Sequence, residues 1–208
     1  MRAFLLIIAL SFSAISADSV TDNNKQKAAD SAIDESKLKI IEDFLSTMDT
    51  LEADMTMDID SGNNIPPEHF DGKIWLDRKN KQLRLNYGKS TMIAKKGTLI
   101  VAQENERPQE YATDDTPAGI LLRPSISFKS EGITVKSLTQ IEDLWQLFLT
   151  YDSPAGSIPV TLYFKPKPIM ILMGWAIQNP NGSITNVHLN PDKTHMAIKI
   201  DPSVFKLN

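Results

Sequence analysis

Between Lys37 and Met48 the apolar residues Ile40, Ile41, Phe44, Leu45 and Met48 recur at helical spacing, while Glu42, Asp43 and Thr47 fall elsewhere. This predicts an amphipathic helix with Ser36 as its N-cap. The period then changes to two. From Leu51 to Asp60 every second residue is apolar (Leu51, Ala53, Met55, Met57, Ile59) and the residues between are polar, the pattern of a strand with one wet face. Ser61–Asp71 contains a glycine, two asparagines and Pro66-Pro67, and is predicted as a loop. Strands are then expected at Lys73–Asp77, Gln82–Tyr87, Thr91–Ala94, Thr98–Gln103 and Glu110–Thr113, with Lys96-Gly97 as a turn. Thr116–Leu122 interrupts them. Thr116 suits a cap, Pro117 a first helical position, and Pro124 a stop, so a short, nearly all-apolar helix is expected there.

Strands resume at Ile133–Leu138, Leu144–Tyr151, Ile158–Phe164, Met170–Gln178 and Ile184–Leu189, with Asn179–Gly182 as the turn between the last two. The tail holds Ala197–Ile200 and then DPSVF (201–205), the latter expected as one helical turn. The run Ile169–Ile177 is apolar at nearly every position, so both faces of that strand need cover. About ten or eleven mostly consecutive strands with two helices predict a mainly β, α+β domain: an antiparallel meander that curls toward a barrel.

Composition narrows the choice of function. The chain has 208 residues and a formal charge of −4, which suits one domain with extensions and argues against a nucleic-acid partner. Arg2, the apolar run Ala3–Leu10 and the small-residue exit SFSAISA have the order of an export signal. Segment 1–17 is therefore expected to be cleaved, 18–36 to be a polar flexible segment, and 37–208 to be the working domain. There is no cysteine, hence no disulfide, no cysteine nucleophile and no site for a lipid anchor.

Candidate chemistry is sparse. His69, His188 and His195 lack a usual metal-ligand spacing, and no hydrolase, phosphate-loop or dinucleotide fingerprint is present. No enzyme activity, metal or cofactor is expected. Asn181-Gly182-Ser183 marks a hairpin turn more readily than a glycan. Seven methionines beyond Met1 suit a wall that adapts to varied apolar ligands, and equally suit ordinary core filling.

The stretch Gly72–Tyr87 carries a resemblance. Gly72, Ile74, Trp75, Leu76 and Arg78, then Arg84, Leu85 and Tyr87, follow the pattern G-x-apolar-W-apolar-x-R, a polar turn, and R-apolar-x-Y. Downstream, KKGTLIVAQ, TPAGILL and the Lys165–Ile184 hairpin with Trp175, Asn179 and Gly182 continue in the same order. This resembles the LolA family of periplasmic lipoprotein carriers over roughly Lys37–Phe205. In two respects the chain departs from the family: Lys79 stands where the family has proline, and the turn Lys79–Gln82 is one residue longer.

The resemblance implies an incomplete, half-closed antiparallel β-barrel of about eleven strands under an α-helical lid. It implies a monomeric carrier in the periplasm of a Gram-negative bacterium. Such a carrier takes lipoprotein acyl chains from an inner-membrane ABC exporter to an outer-membrane receptor. The acyl-chain cavity would then be lined by Trp75, Leu83, Leu85, Tyr87, Ile93 and Ile100 from the strands. The lid would add Ile120, Leu121 and Leu122 from one helix and Phe44 and Met48 from the other. Arg78 would match the family arginine that latches the lid, where the turn pattern alone gives a solvated residue. The alternative within the same fold is a periplasmic lipid or lipoprotein sensor that binds a signalling protein.

Overall fold

The protein is described by a computed structural model covering residues 33–62, 65–123, 126–154 and 156–207. The expected signal segment, the polar segment as far as residue 32, and Pro124 lie outside the described residues. Helix α1 spans Glu35–Thr47. Strands β1 (Thr50–Asp60), β2 (Glu68–Asp77), β3 (Gln82–Tyr87), β4 (Ser90–Lys95), β5 (Thr98–Gln103) and β6 (Gln109–Ala112) follow. A 3-10 turn, Thr113–Asp115, leads into the short helix α2, Ala118–Leu121. The second half comprises β7 (Ile133–Ile141), β8 (Leu144–Ser153), β9 (Gly156–Lys165), β10 (Ile171–Gln178) and β11 (Ile184–Met196), and Pro202–Phe205 forms a final 3-10 turn.

All eleven strands belong to one antiparallel sheet in the order β6-β5-β4-β3-β2-β1-β11-β10-β9-β8-β7. Each half is a meander, and the β1–β11 pair joins them. The strands β6 and β7 are neighbours in sequence but form the two free edges, so the barrel is incomplete. The connection between them, which carries α2, has to cross from one edge to the other, and that topology sets a helix over the open side.

Alternation fixes which side is inside. Leu51, Ala53, Met55, Met57 and Ile59 of β1 are all buried. Register carries that face to Ile74 and Leu76 of β2, then to Leu83, Leu85 and Tyr87 of β3, and in the other direction to Thr185, Val187 and Leu189 of β11. The core lies between this inner face and the two helices. Leu38, Ile41 and Leu45 of α1 are buried, and Phe44 meets Phe164 of β9 edge-on at 6.2 Å between centroids.

Local chemistry moves some boundaries. Asp34, not Ser36, caps α1: its carboxylate accepts from the N–H groups of Ser36 (3.1 Å) and Lys37 (3.2 Å), and these bonds, led by one from the Ser36 hydroxyl, lower its pKa. An aspartate satisfies the orphan donors of a first turn and favours its partial positive charge. Thr116 does not cap α2; its hydroxyl donates to the Thr113 carbonyl at 2.8 Å. The loop after β1 is shorter than expected because β2 starts at Glu68. The last strand, expected to end at Leu189, runs to Met196. The register of β1 jumps from Thr194 at Ala53 to Leu189 at Met55, so Asn190–Lys193 bulge out of the ladder around Pro191.

The apolar run of β10 is resolved by another irregularity. The β9–β10 register shifts between Leu172 and Gly174, which lets both Leu172 and Trp175 be buried although they are an odd number of positions apart. Gly174 sits at φ 147°, and a Cβ there would come 1.9 Å from the Val187 carbonyl oxygen. Only glycine fits that close approach.

Candidate functional site: a latched apolar cavity

A cavity opens between the inner face and α2. One wall comes from β3, β4 and β5 (Leu83, Leu85, Tyr87, Met92, Val101), the other from β9, β10 and β11 (Val160, Leu162, Trp175, Ile177, Val187). Met57 of β1 forms the floor, and Pro117, Ala118, Ile120 and Leu121 form the roof. Its volume is about 100 Å³, room for about three water-sized groups and well short of the roughly 300 Å³ at which ligand pockets begin. A more polar depression of about 610 Å³ adjoins it, sharing Tyr111, Pro117, Ile177 and Asn179.

Arg78 is the main polar feature beneath the helices. It follows β2 in the Arg78–Lys81 turn, held by Arg78 N–H to the Asp49 carbonyl at 2.8 Å and Lys81 N–H to the Arg78 carbonyl at 3.0 Å. Its side chain is 1% exposed. The Nε–H donates to the Leu121 carbonyl of α2 at 3.1 Å, and Nη1 donates to the Leu45 carbonyl of α1. One guanidinium therefore bonds the C-terminal ends of both helices, where a cation is favoured; the Leu45 carbonyl also accepts from the Met48 N–H at 3.3 Å. The third nitrogen, Nη2, is buried without a partner among the described residues. Burial pushes the pKa of Arg78 down, with Asp49 pulling it back up; arginine nevertheless stays charged.

The residues singled out from sequence divide by strand phase. Leu83, Leu85, Tyr87, Ile120 and Leu121 line the cavity. Leu122, Met48 and the half-buried Phe44 belong to the core around it but not to its lining. Trp75, Ile93 and Ile100 are corrections. Trp75 pairs with Glu52 and Arg84 on the outer face, with the Lys73 ammonium 5.4 Å from its ring centroid. Ile93 and Ile100 pair with each other on that same outer face. Ile93 is buried there because the C-terminal turn lies over it: Arg84, its partner in register, donates to the carbonyls of Val204 (2.7 Å) and Lys206 (2.9 Å), which brings the buried Phe205 onto the outside of the sheet. Sequence reasoning counted Met57 and Met92 only among the methionines that suit an adaptable wall, without placing them, and singled out neither Val101 nor any residue of the β9–β11 wall as lining. The alternation of Met55, Met57 and Ile59 would have found the first. Phase counted from Tyr87 across the short β3–β4 turn would have found the next two.

Among the described residues no group of three or more His, Asp or Glu side chains is placed to hold a metal. The site is an apolar chamber under a helical roof, with one buried cation bonded to main-chain carbonyls beside it, and it offers burial to an apolar group.

No family model matches the chain, and no curated protein matches it in sequence. Similar solved structures include a LolA superfamily protein from Nitrosomonas europaea (7% identity, TM-score 0.49), covering 82% of this chain and 97% of that one. Another is an outer membrane lipoprotein-sorting protein domain from Vibrio parahaemolyticus (7% identity, TM-score 0.48; 81% and 94% covered). A third is a DUF1329 family protein from Desulfovibrio piger (8% identity, TM-score 0.47; 82% and 95% covered).

Proposed function

We propose that this chain is a periplasmic carrier that takes lipoprotein acyl chains between barrel and lid and performs no chemistry on them. In this reading it receives its cargo from an inner-membrane ABC exporter and delivers it to an outer-membrane receptor. The observation that supports the reading is the placement of Arg78: it bonds a carbonyl of α1 and one of α2, and α2 roofs an apolar chamber of about 100 Å³, too small as it stands for an acyl chain. Binding then requires the lid to lift. An acyl chain of about 16 carbons gains on the order of 10 kcal/mol gross when buried, before ordering terms are subtracted. A carrier that must also release needs an opposing preference for the shut state. Charge-assisted bonds of about 1.5–3 kcal/mol bias such a lid without locking it.

The test is direct. Protein isolated from the periplasm of its host is analysed by mass spectrometry for a lipid-modified ligand, and purified protein is assayed for removing a lipoprotein from membranes and passing it on. Co-purifying lipoprotein and one-way transfer are expected. Absence of any acylated ligand in both assays overturns the reading. Recovery of a signalling protein in place of transporter and receptor components would favour the sensor alternative.

A further inference from the structure

The cavity wall contains a buried hydroxyl without a hydrogen-bond partner among the described residues. Tyr87 is 4% exposed and lines the chamber, yet its Oη finds no hydrogen-bond partner among the described residues. Ser90 faces it across the β3–β4 turn, close enough to count as a polar neighbour but without a bond of normal geometry. Burial raises the pKa of the hydroxyl, so it remains a proton donor throughout the physiological range. Nearby polar groups on the wall are satisfied. Asn179 Nδ2 donates to Ser183 Oγ and Thr185 Oγ1, each at 3.0 Å, and the Tyr111 hydroxyl donates to Gln109. A buried donor left unpaired is unfavourable and uncommon in a folded protein.

Position along the cavity gives that hydroxyl a use. Register sets Tyr87, Ser90 and Gln103 at one end of β3, β4 and β5, and the following loop brings Glu106 and Arg107 to the lining. Toward the opposite end of these strands the inner face carries Leu83, Ala94 and Leu99. The chamber thus runs from an apolar end to a polar end, and Tyr87 stands where the two meet. An amphiphile lying along it would put hydrocarbon against Leu83 and Leu85, its head toward Gln103 and Arg107, and the linkage between them beside Tyr87.

We infer that Tyr87 is a specificity residue: its hydroxyl donates to the carbonyl oxygen of the ester or amide that joins an acyl chain to its head group. The site then selects acyl chains over plain or ether-linked hydrocarbon. This rests on the carrier reading and narrows its ligand class.

The test compares the full chain with Tyr87→Phe, by displacement of a fluorescent fatty probe. The competing ligands are monopalmitoylglycerol (ester), N-palmitoylethanolamine (amide) and the hexadecyl ether of glycerol. Wild type should bind the ester, the amide or both about tenfold more tightly than the ether, and whichever shows the preference identifies the linkage. Tyr87→Phe should lose that preference while binding the ether as wild type does. The Tm of the ligand-free variant should be no lower than that of wild type, since the deleted hydroxyl had no partner. A carbonyl preference retained in Tyr87→Phe, or a lowered Tm with unchanged preference, overturns the inference and leaves the carrier reading standing. Failure of wild type to bind any of the three overturns both.

Discussion

Arg78 and Arg84 belong to the same β2–β3 hairpin, and each gives guanidinium hydrogens to main-chain carbonyls of distant segments. Arg84 works on the outer face. It is half-exposed, its Nε donates to Asn86 at 2.8 Å, and its Nη1 is shared between Val204 and Lys206. Water satisfies what the protein does not, so the contact is a staple with little cost of burial. Arg78 works on the inner side, almost fully buried, with one nitrogen unpaired and with carbonyl acceptors from two helices. A buried cation with incomplete pairing sits close to balance between attraction and desolvation. The same chemistry therefore costs little where it is wet and much where it is dry, and the carrier reading makes the dry contact the one that releases.

The largest effect that would break this comparison comes from Arg78→Leu. The two charge-assisted bonds are worth about 1.5–3 kcal/mol each, partly offset by the cost of burying the cation, so their removal withdraws on the order of 1.5–3 kcal/mol net from the shut state, a factor of roughly 10 to 150 in the balance of shut and open forms. A bound acyl probe should leave the variant slower by about that factor, measured by transfer to acceptor vesicles. Unchanged release would make Arg78 a core residue and not a latch.

Arg84→Ala should act on stability alone. Loss of its bonds to the C-terminal turn removes about 1–2 kcal/mol, which for a domain of this size is a fall of roughly 3–8 °C in Tm by calorimetry. Release kinetics should match wild type. A release defect in Arg84→Ala would mean that the outer fastening also feels the lid, and the contrast between the two arginines would fail.

The same contrast explains what was legible in the sequence. Alternation in Leu51–Asp60 and Gln82–Tyr87 gave both the strands and their inner faces, because one face of each is wet and the pattern is clean. It misled at Ile93 and Ile100, where apolar residues occupy both faces: MIA (92–94) and LIVA (99–102) contain no polar position to mark the phase. What makes the outer face apolar there is Phe205, more than a hundred residues away, delivered by Arg84. Trp75 was drawn inward by its motif although Ile74 and Leu76 had already claimed that face. The β10 run could not be phased because the bulge at Gly174 depends on a neighbouring strand's carbonyl. Arg78 was identified through resemblance, and its burial follows only from helices that pack over the turn.

The smallest effect is expected at Lys79, which stands where the resemblance in the sequence implies a proline. Lys79 is the second residue of the Arg78–Lys81 turn, is exposed, and its N–H donates to no described backbone group. That turn position favours proline, and no hydrogen bond is lost by putting it there. Lys79→Pro should therefore stabilise by about 0.4–1 kcal/mol, through restriction of the unfolded chain, raising Tm by roughly 1–4 °C. Because the gain comes from the unfolded state, the bonds of Arg78 and Arg84 are untouched, and release in the transfer assay should stay within about twofold of wild type. A lowered Tm would show that the longer turn holds Arg78 in a backbone conformation proline does not allow. The bonds of Arg78 to Leu45 and Leu121 would then depend on a corner that only a non-proline residue can form.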